Sequence, residues 1–497
     1  MGYDQPQQPR DYGGWRLRRG IGLFGLGAAG TAGVLAALLV LIITAAAAPA
    51  ALLYVAPPVL AGGGLALART RGEPLALAAL RRARWHYAAS RGYTRYRADV
   101  VAEHSPAFPL PGVLAPLTLL DAEDGYGGRY GIVLDRRTGM MTATLRVIPA
   151  SPWLADRADA DGWVANWGGW LSSLGNLPAV RWVTVTTDTA PEPGTALADQ
   201  VAATLDPAAP LAARQIMGQL VAAAPAAAAD VDTRVSVTFD PAASPSALPG
   251  VTGAAAEVGR MLHGLESALG TCGVTVLGRA GAAEIAGIVR TASDPASRGE
   301  VSRLLAQPAG RPGAGPGWAE AGPVGAEEAP DCYRHDSGTS VTWCWREAPR
   351  QNVTSDVLAR LVAPGAWPKR VSLQYRPFPA AEATRVLQAE VNAAQFREVY
   401  RRRTGRDETA RDSADQARAR QAAAEEAAGA GVGLISVYVT VTVTRDADLP
   451  RALAETEAAA ESSRIRLRPM TFSQAAGWAA TLPCGICPAD LARRMPH

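Results

Sequence analysis

Residues Leu434–Thr444 read LISVYVTVTVT. From Val437 onward valine alternates with tyrosine or threonine, a period of two that sends the valines to one face of a strand and the hydroxyls to the other. Valine, tyrosine and threonine also suit a pleated, half-buried surface. This is the clearest strand in the chain. Downstream the pattern continues as a helix (Leu449–Ser463), a strand (Arg464–Pro469) and a helix (Thr471–Ala480). That alternation predicts a ferredoxin-like α+β unit.

Upstream, Ala380–Gly429 is one long helical pattern, heavily charged from Arg397 to Glu426. Before it, Thr339–Arg346 and Arg370–Tyr375 read as strands. Residues 293–330 are rich in Gly, Pro, Ala and Ser and predict a linker or mobile loop. Farther back, Arg129–Leu134 and Met140–Ile148 are strands joined by DRRTG, a hairpin signal. Arg181–Thr187 and Thr233–Phe239 are further strands, with helices near Ala196–Leu205, Leu211–Ala224 and Val251–Gly270. Trp163, Trp167 and Trp170 fall on one face of a helix over Asp161–Gly175, a stripe that reads as core.

The N-terminal region has a different character. No residue from Ile21 to Ala68 is charged, and the run accommodates two spans of about 20 residues each. Ile21 to about Thr44 is the first, and about Pro49 to Ala68 the second. Arg10, Arg16, Arg18 and Arg19 precede the run. Arg69, Arg71, Arg81, Arg82, Arg84, Arg91, Arg95 and Arg97 follow it, against Glu73 alone. Basic residues on both flanks predict a transmembrane hairpin with both termini cytoplasmic. The stretch Gly25-Leu-Gly27-Ala-Ala-Gly30 has the G-x-G-x-x-G spacing of a dinucleotide turn. It lacks both a preceding strand and a following acid, so the small residues Gly25, Ala29 and Gly33 read instead as a helix-packing stripe. Pro74 to about Tyr96 predicts a basic amphipathic helix lying on the membrane surface. Arg81, Arg82, Arg84, Trp85, Arg91, Tyr93, Arg95 and Tyr96 are its contacts with headgroups.

Composition limits the chemistry. The 497 residues carry a net charge of +3, too small to make nucleic acid the main partner. In Tyr400–Asp412 arginines are interleaved with acids, as in exposed helix pairs. The five cysteines, Cys272, Cys332, Cys344, Cys484 and Cys487, are odd in number and form no disulfide framework. Cys484-Gly-Ile-Cys487 is a C-x-x-C that zinc or redox chemistry would use, with inert thiols as the default. Lys369, the single lysine, sits in Trp-Pro-Lys-Arg and belongs to no phosphate-binding loop. His335-Asp336-Ser337 are sequence neighbours, which triad members need not be. Asp121, Glu123 and Asp124 lack the ligand spacing of a calcium loop. No catalytic, cofactor-binding or metal-ligating residue is assigned, and no cofactor.

One segment resembles a known family. REVYRRRTGRDETARDSADQARARQAAAEEAAGAGVGLISVYVTVTVTRDADLPRALAETEAAAESSRIRLRPMTFSQAAGWAATLPCG, within about residues 395–486, looks like the N-terminal, non-motor half of type IV secretion (VirB/TraC-type) ATPases. There a charged helix, an alternating strand, a strand of the kind IRLRPM and a Leu-Pro-x-Gly precede the motor domain. Taken whole, the order of parts resembles actinobacterial membrane proteins that accompany conjugative-element and secretion genes. The resemblance carries no site residues over.

The expected fold is α+β: an N-terminal transmembrane helical hairpin followed by cytoplasmic mixed α/β domains, the last ferredoxin-like. The expected organisation is a polar tail (1–20), the hairpin (21–68), the juxtamembrane helix (69–98), a first α+β domain (99–292), the linker (293–330) and a second α+β domain (331–497). The resemblance implies a non-enzymatic inner-membrane scaffold of a conjugative or type IV-like secretion apparatus. Its partners would be the bilayer, a separate ATPase and other membrane subunits. The alternatives are a membrane-anchored, transferase-like enzyme and a type VII secretion EccE-like subunit.

Overall fold

The structure is a computed structural model. It describes residues 27–67, 69–70, 73–98, 108–123, 127–150, 155–191, 201–223, 229–307, 315–347, 349, 353–379, 382–389, 392 and 431–494. The chain divides into two compact units. One contains Thr94–Ala380 and Gly429–His497, the other Gly14–Tyr93 and Ala381–Ala428.

The first unit is built on one 13-stranded sheet. Its strands are β3 (Arg95–Arg97), β4 (Leu117–Glu123), β5 (Arg129–Asp135), β6 (Met141–Pro149), β7 (Val180–Pro191), β8 (Ala229–Phe239), β9 (Val274–Arg279), β10 (Gly325–Glu328), β11 (Tyr333–His335), β12 (Gly338–Glu347), β13 (Lys369–Pro377), β14 (Gly433–Val443) and β15 (Arg466–Pro469). The order is β3-β10-β11-β12-β14-β13-β7-β8-β6-β5-β4, with β15 on β12 and β9 on β6. Every pairing is antiparallel.

The expected ferredoxin-like last domain does not form. The strand LISVYVTVTVT becomes β14, which pairs with β12 and with β13, and β13 pairs in turn with β7. Strands from both sides of residues 293–330 therefore share one ladder. That region itself contributes β10 and helix α8 (Arg298–Leu305).

In-phase alternation gives the sheet two unlike faces. Val183, Val185, Val235, Val237, Leu373, Val437 and Val439 line one. Helices α4 (Arg157–Ser173), α6 (Gly250–Leu269), α9 (Ala359–Val362) and α10 (Leu449–Ser462) supply apolar side chains packed on it. Burying each such side chain stabilises the fold by about 1.5–3 kcal/mol. The tryptophan stripe belongs to this core: Trp170 is buried and its Nε1 donates to Leu265 O at 3.3 Å, with Trp167 stacked on it at 5.0 Å. Gly273 has φ +72°, and a Cβ there would lie 2.5 Å from the Trp163 ring. The opposite face carries hydroxyls and charges. It is covered by α7 (Ala282–Ser293), α11 (Gln474–Ala480) and the chain that follows α11.

The second unit contains α1 (Gly27–Ala47), α2 (Leu52–Leu67), the ribbon β1–β2 (Arg69–Thr70 with Glu73–Pro74) and α3 (Leu75–Ser90). Here the expectation of a transmembrane hairpin is corrected. Among the described residues, no helix is long and apolar enough to cross a membrane. A 3-10 turn at Pro49–Ala51 breaks the apolar run. Helix α2 has 16 residues with Pro57 and Pro58 inside it, roughly 24 Å at 1.5 Å per residue against about 30 Å of hydrocarbon. The multi-pass inner-membrane location with both termini cytoplasmic falls with the spans. Several apolar side chains of these helices are exposed, Leu38, Ile42 and Leu53 among them.

Candidate functional site

The hydroxyl face of the sheet is zipped across neighbouring strands. Thr142 pairs with Thr238 at 2.9 Å, Thr144 with Ser236 at 2.9 Å, Thr186 with Ser372 at 2.7 Å, Thr342 with Thr440 at 2.8 Å and Ser340 with Thr442 at 2.8 Å. All ten residues are buried. Each hydroxyl thereby satisfies another, which removes the cost of burying an unpaired polar group.

Within this layer lies a charged cluster. Arg234 is 2% exposed and Arg370 4% exposed. Arg234 donates from Nη2 to Asp188 Oδ2 at 2.9 Å and from Nη1 to Asp232 Oδ2 at 2.6 Å. Arg298, on α8, lies 3.5 Å from Asp188 Oδ1 and 3.0 Å from Asp230 Oδ2. Arg370 donates from Nε to Thr481 Oγ1 at 3.1 Å, and its guanidinium stands 5.8 Å from the Trp478 ring centre. Burial pushes the Asp188 carboxyl up, but Arg234, Arg298 and Arg370 outweigh it and hold the group below the ordinary carboxylate range. Burial pushes Arg370 down to about 10, with Asp188 opposing the shift and Arg234 and Arg298 adding to it.

A C-terminal strap closes over the layer. Gln474 Oε1 accepts from Thr342 N at 2.8 Å, Gln374 Nε2 donates to Ile486 O at 2.8 Å, and Ala475 N donates to Glu328 Oε1 at 3.0 Å. Gly485 has φ +67°, and a Cβ there would fall onto Thr142 Oγ1, so this crossing requires glycine.

The candidates read from sequence fall in separate places. Cys484 and Cys487 are buried in the strap, and burial raises both thiols, Cys484 to about 12. They are poor nucleophiles, since reactivity follows the thiolate. Cys332 is in a different core cluster, and Cys344 lies 3.3 Å from Arg468 Nη2. No group of three or more His, Cys, Asp or Glu among the described residues is placed to hold a metal ion. The neighbours His335, Asp336 and Ser337 diverge. His335 bonds Ser293 O at 2.6 Å and Ser340 Oγ at 2.8 Å, Asp336 accepts from Gly325 N, and Ser337 bonds Asp294. Burial drives His335 down to about 4, so near neutral pH the ring is uncharged. With Nδ1–H donating to the Ser293 carbonyl, Nε2 accepts from the Ser340 hydroxyl. His335 and Ser340 are both buried, which leaves this Ser–His pair without access to a substrate.

Lys369 donates to Ala363 O at 2.8 Å. Asp121 pairs with Arg129, while Asp124 and the arginine-rich stretch Tyr400–Asp412 lie outside the described residues. So does most of the long helix expected over Ala380–Gly429, and so does Gly25 of the glycine motif.

The proposed surface residues also divide. Arg81, Arg82, Arg84 and Trp85 lie on α3, where Arg82 and Arg84 are exposed. The helix ends at Ser90 and not at Tyr96, because Gly92 takes φ +75°, a left-handed stop. Arg91 and Tyr93 fall in that exposed turn, with Arg91 5.4 Å from the Tyr87 ring. Arg95 and Tyr96 belong to β3: Arg95 pairs with Glu327 at 3.1 Å, and Tyr96 Oη donates to Pro109 O at 3.0 Å.

Sequence reasoning missed the Asp188–Arg234–Arg370 cluster. Its trace is there, in charges at the polar phase of strands that otherwise alternate valine with hydroxyls (VTVTTD, TRVSV, KRVSL). Alternation separates two faces and does not say which of them meets water.

No family model and no curated protein matches this sequence.

Proposed function

We propose that this chain is a non-enzymatic assembly subunit that docks a separate ATPase of the type IV secretion class. The observation that carries the reading is helix α5 (Leu211–Ala223), in the connection between β7 and β8. None of its residues is buried, and Leu211, Ile216, Met217 and Leu220 are exposed. Ile216 and Leu220 stand one turn apart, the spacing by which an amphipathic helix anchors in a partner's groove. The partner's identity rests on the resemblance of residues 395–486 to the non-motor half of such ATPases. His335 and Ser340 are hydrogen-bonded inside the core, Cys484 is enclosed, and Lys369 donates to the Ala363 carbonyl.

The test is co-purification of the full chain with a VirB/TraC-type ATPase from the same host, comparing the native chain with Leu220→Glu. Capture by the native chain and at least tenfold weaker capture by the variant, at unchanged Tm, support the reading. Equal capture by both, or ATP hydrolysis by the pure chain alone, overturns it.

A further inference from the structure

The arginine cluster contains more positive charge than its buried carboxylate balances. Arg234, Arg298 and Arg370 share Asp188, whose side chain is 11% exposed. The other two acids, Asp232 and Asp230, have side chains 43% and 49% exposed, so water screens their contribution. Among the described residues Arg370 has no carboxylate within ion-pair distance. Its Nε donates to the Thr481 hydroxyl.

The same place holds several buried donors without a hydrogen-bond partner among the described residues: Arg370 Nη2, Arg234 Nε and Trp478 Nε1, with the Ser293 hydroxyl close by through His335. Two acceptors likewise lack a hydrogen bond: Gln374 Oε1, and Asp188 Oδ1, whose ion-pair contact with Arg298 is 3.5 Å. Bridging water satisfies donors and acceptors alike but leaves the charge excess unchanged. Buried charge that is only partly compensated is unfavourable, and here the two acids besides Asp188 are half exposed. A small anion with several acceptor oxygens meets both needs, because guanidinium groups match oxyanions through paired N–H donors.

We propose that Arg234, Arg298 and Arg370 hold a free phosphate-class oxyanion on the hydroxyl face of the sheet, beneath the strap that carries Trp478 and Thr481. The near-complete burial of Arg234 and Arg370 leaves no opening for an ion attached to a larger group. The site is structural: it joins β7, β8 and β13 to α8 and the strap.

Thermal unfolding of the full chain at constant ionic strength tests this, with inorganic phosphate titrated against chloride and glycerol phosphate as the ester control. The expected result is a saturable rise in Tm of several degrees with phosphate and none with the ester. Arg370→Met abolishes the rise, while Arg445→Gln, at an exposed position, retains it. Should Arg370→Met not fold, Arg298→Gln serves as the second variant and loses the response. Indistinguishable phosphate and chloride curves in the native chain overturn the proposal. So does an equal response to the ester, or a phosphate response that persists in whichever of Arg370→Met and Arg298→Gln folds.

Discussion

Asp188 and Arg370 stand directly opposite each other on β7 and β13, yet the carboxylate bonds Arg234 and the guanidinium bonds Thr481. Asp188 is the shared anion of three arginines and Arg370 is tied to the strap, so the charge of the sheet and the closure of its polar face are linked.

Asp188→Asn removes that shared anion and leaves buried guanidinium charge uncompensated. Such a loss costs about 3–5 kcal/mol, and urea unfolding near pH 7 measures it. The carboxyl is depressed in the folded state from an ordinary value of 3.8. Its contribution is therefore complete above that pH and lost as pH falls below it. The stability gap between native chain and variant narrows in that acid range.

His335 gives a second pH signature at milder acidity. Its folded pKa is lowered from 6.5 to about 4, so the folded state resists protonation while the unfolded state accepts it. Stability from the neutral ring is full above pH 6.5 and declines as pH falls toward 4, by an amount of about 3 kcal/mol. Unfolding curves at stepped pH show this slope in the native chain, and His335→Gln removes it.

Two glycines separate backbone strain from packing. Gly139 and Gly273 both have positive φ, 74° and 72°, but a Cβ at Gly139 meets nothing within 4 Å while one at Gly273 meets Trp163. Gly139→Ala is expected to cost about 1–2 kcal/mol from the left-handed conformation alone. Gly273→Ala adds about 1–3 kcal/mol of overpacking. Paired denaturation curves give the difference directly.

The C-x-x-C is expected to be inert while the protein is folded. Cys484 and Cys487 are buried with raised thiol pKa values, so labelling by iodoacetamide at pH 8 should be at least tenfold slower in native protein than in denaturant. Equal rates would show that the strap opens freely.

Local structure was legible where alternation and turn chemistry agreed. The strand read over Leu434–Thr444 is β14 at Gly433–Val443, and the hairpin read around DRRTG is β5–β6. The tryptophan face was legible as core because helical spacing fixes which side chains share a side. The single sheet was not legible, because antiparallel neighbours such as β7 and β13 lie far apart in sequence and local pattern does not specify long-range partners. The apolar run was read as two spans from its length. The double proline lies inside α2, which has only 16 residues. The arginine cluster was hidden for a related reason: Asp188, Arg234 and Arg370 each look like an ordinary solvent-facing residue until α7, α8 and the strap cover that face.

On the proposed function, the exposed face of α5 is where the chain meets its partner. The direct measurement is site-specific photo-cross-linking in the native host, with the probe at Ile216 and, as control, at the exposed Tyr93. One discrete adduct that contains a type IV secretion-class ATPase is expected from Ile216, and none from Tyr93. No adduct from Ile216, or the same adduct from both positions, would contradict it.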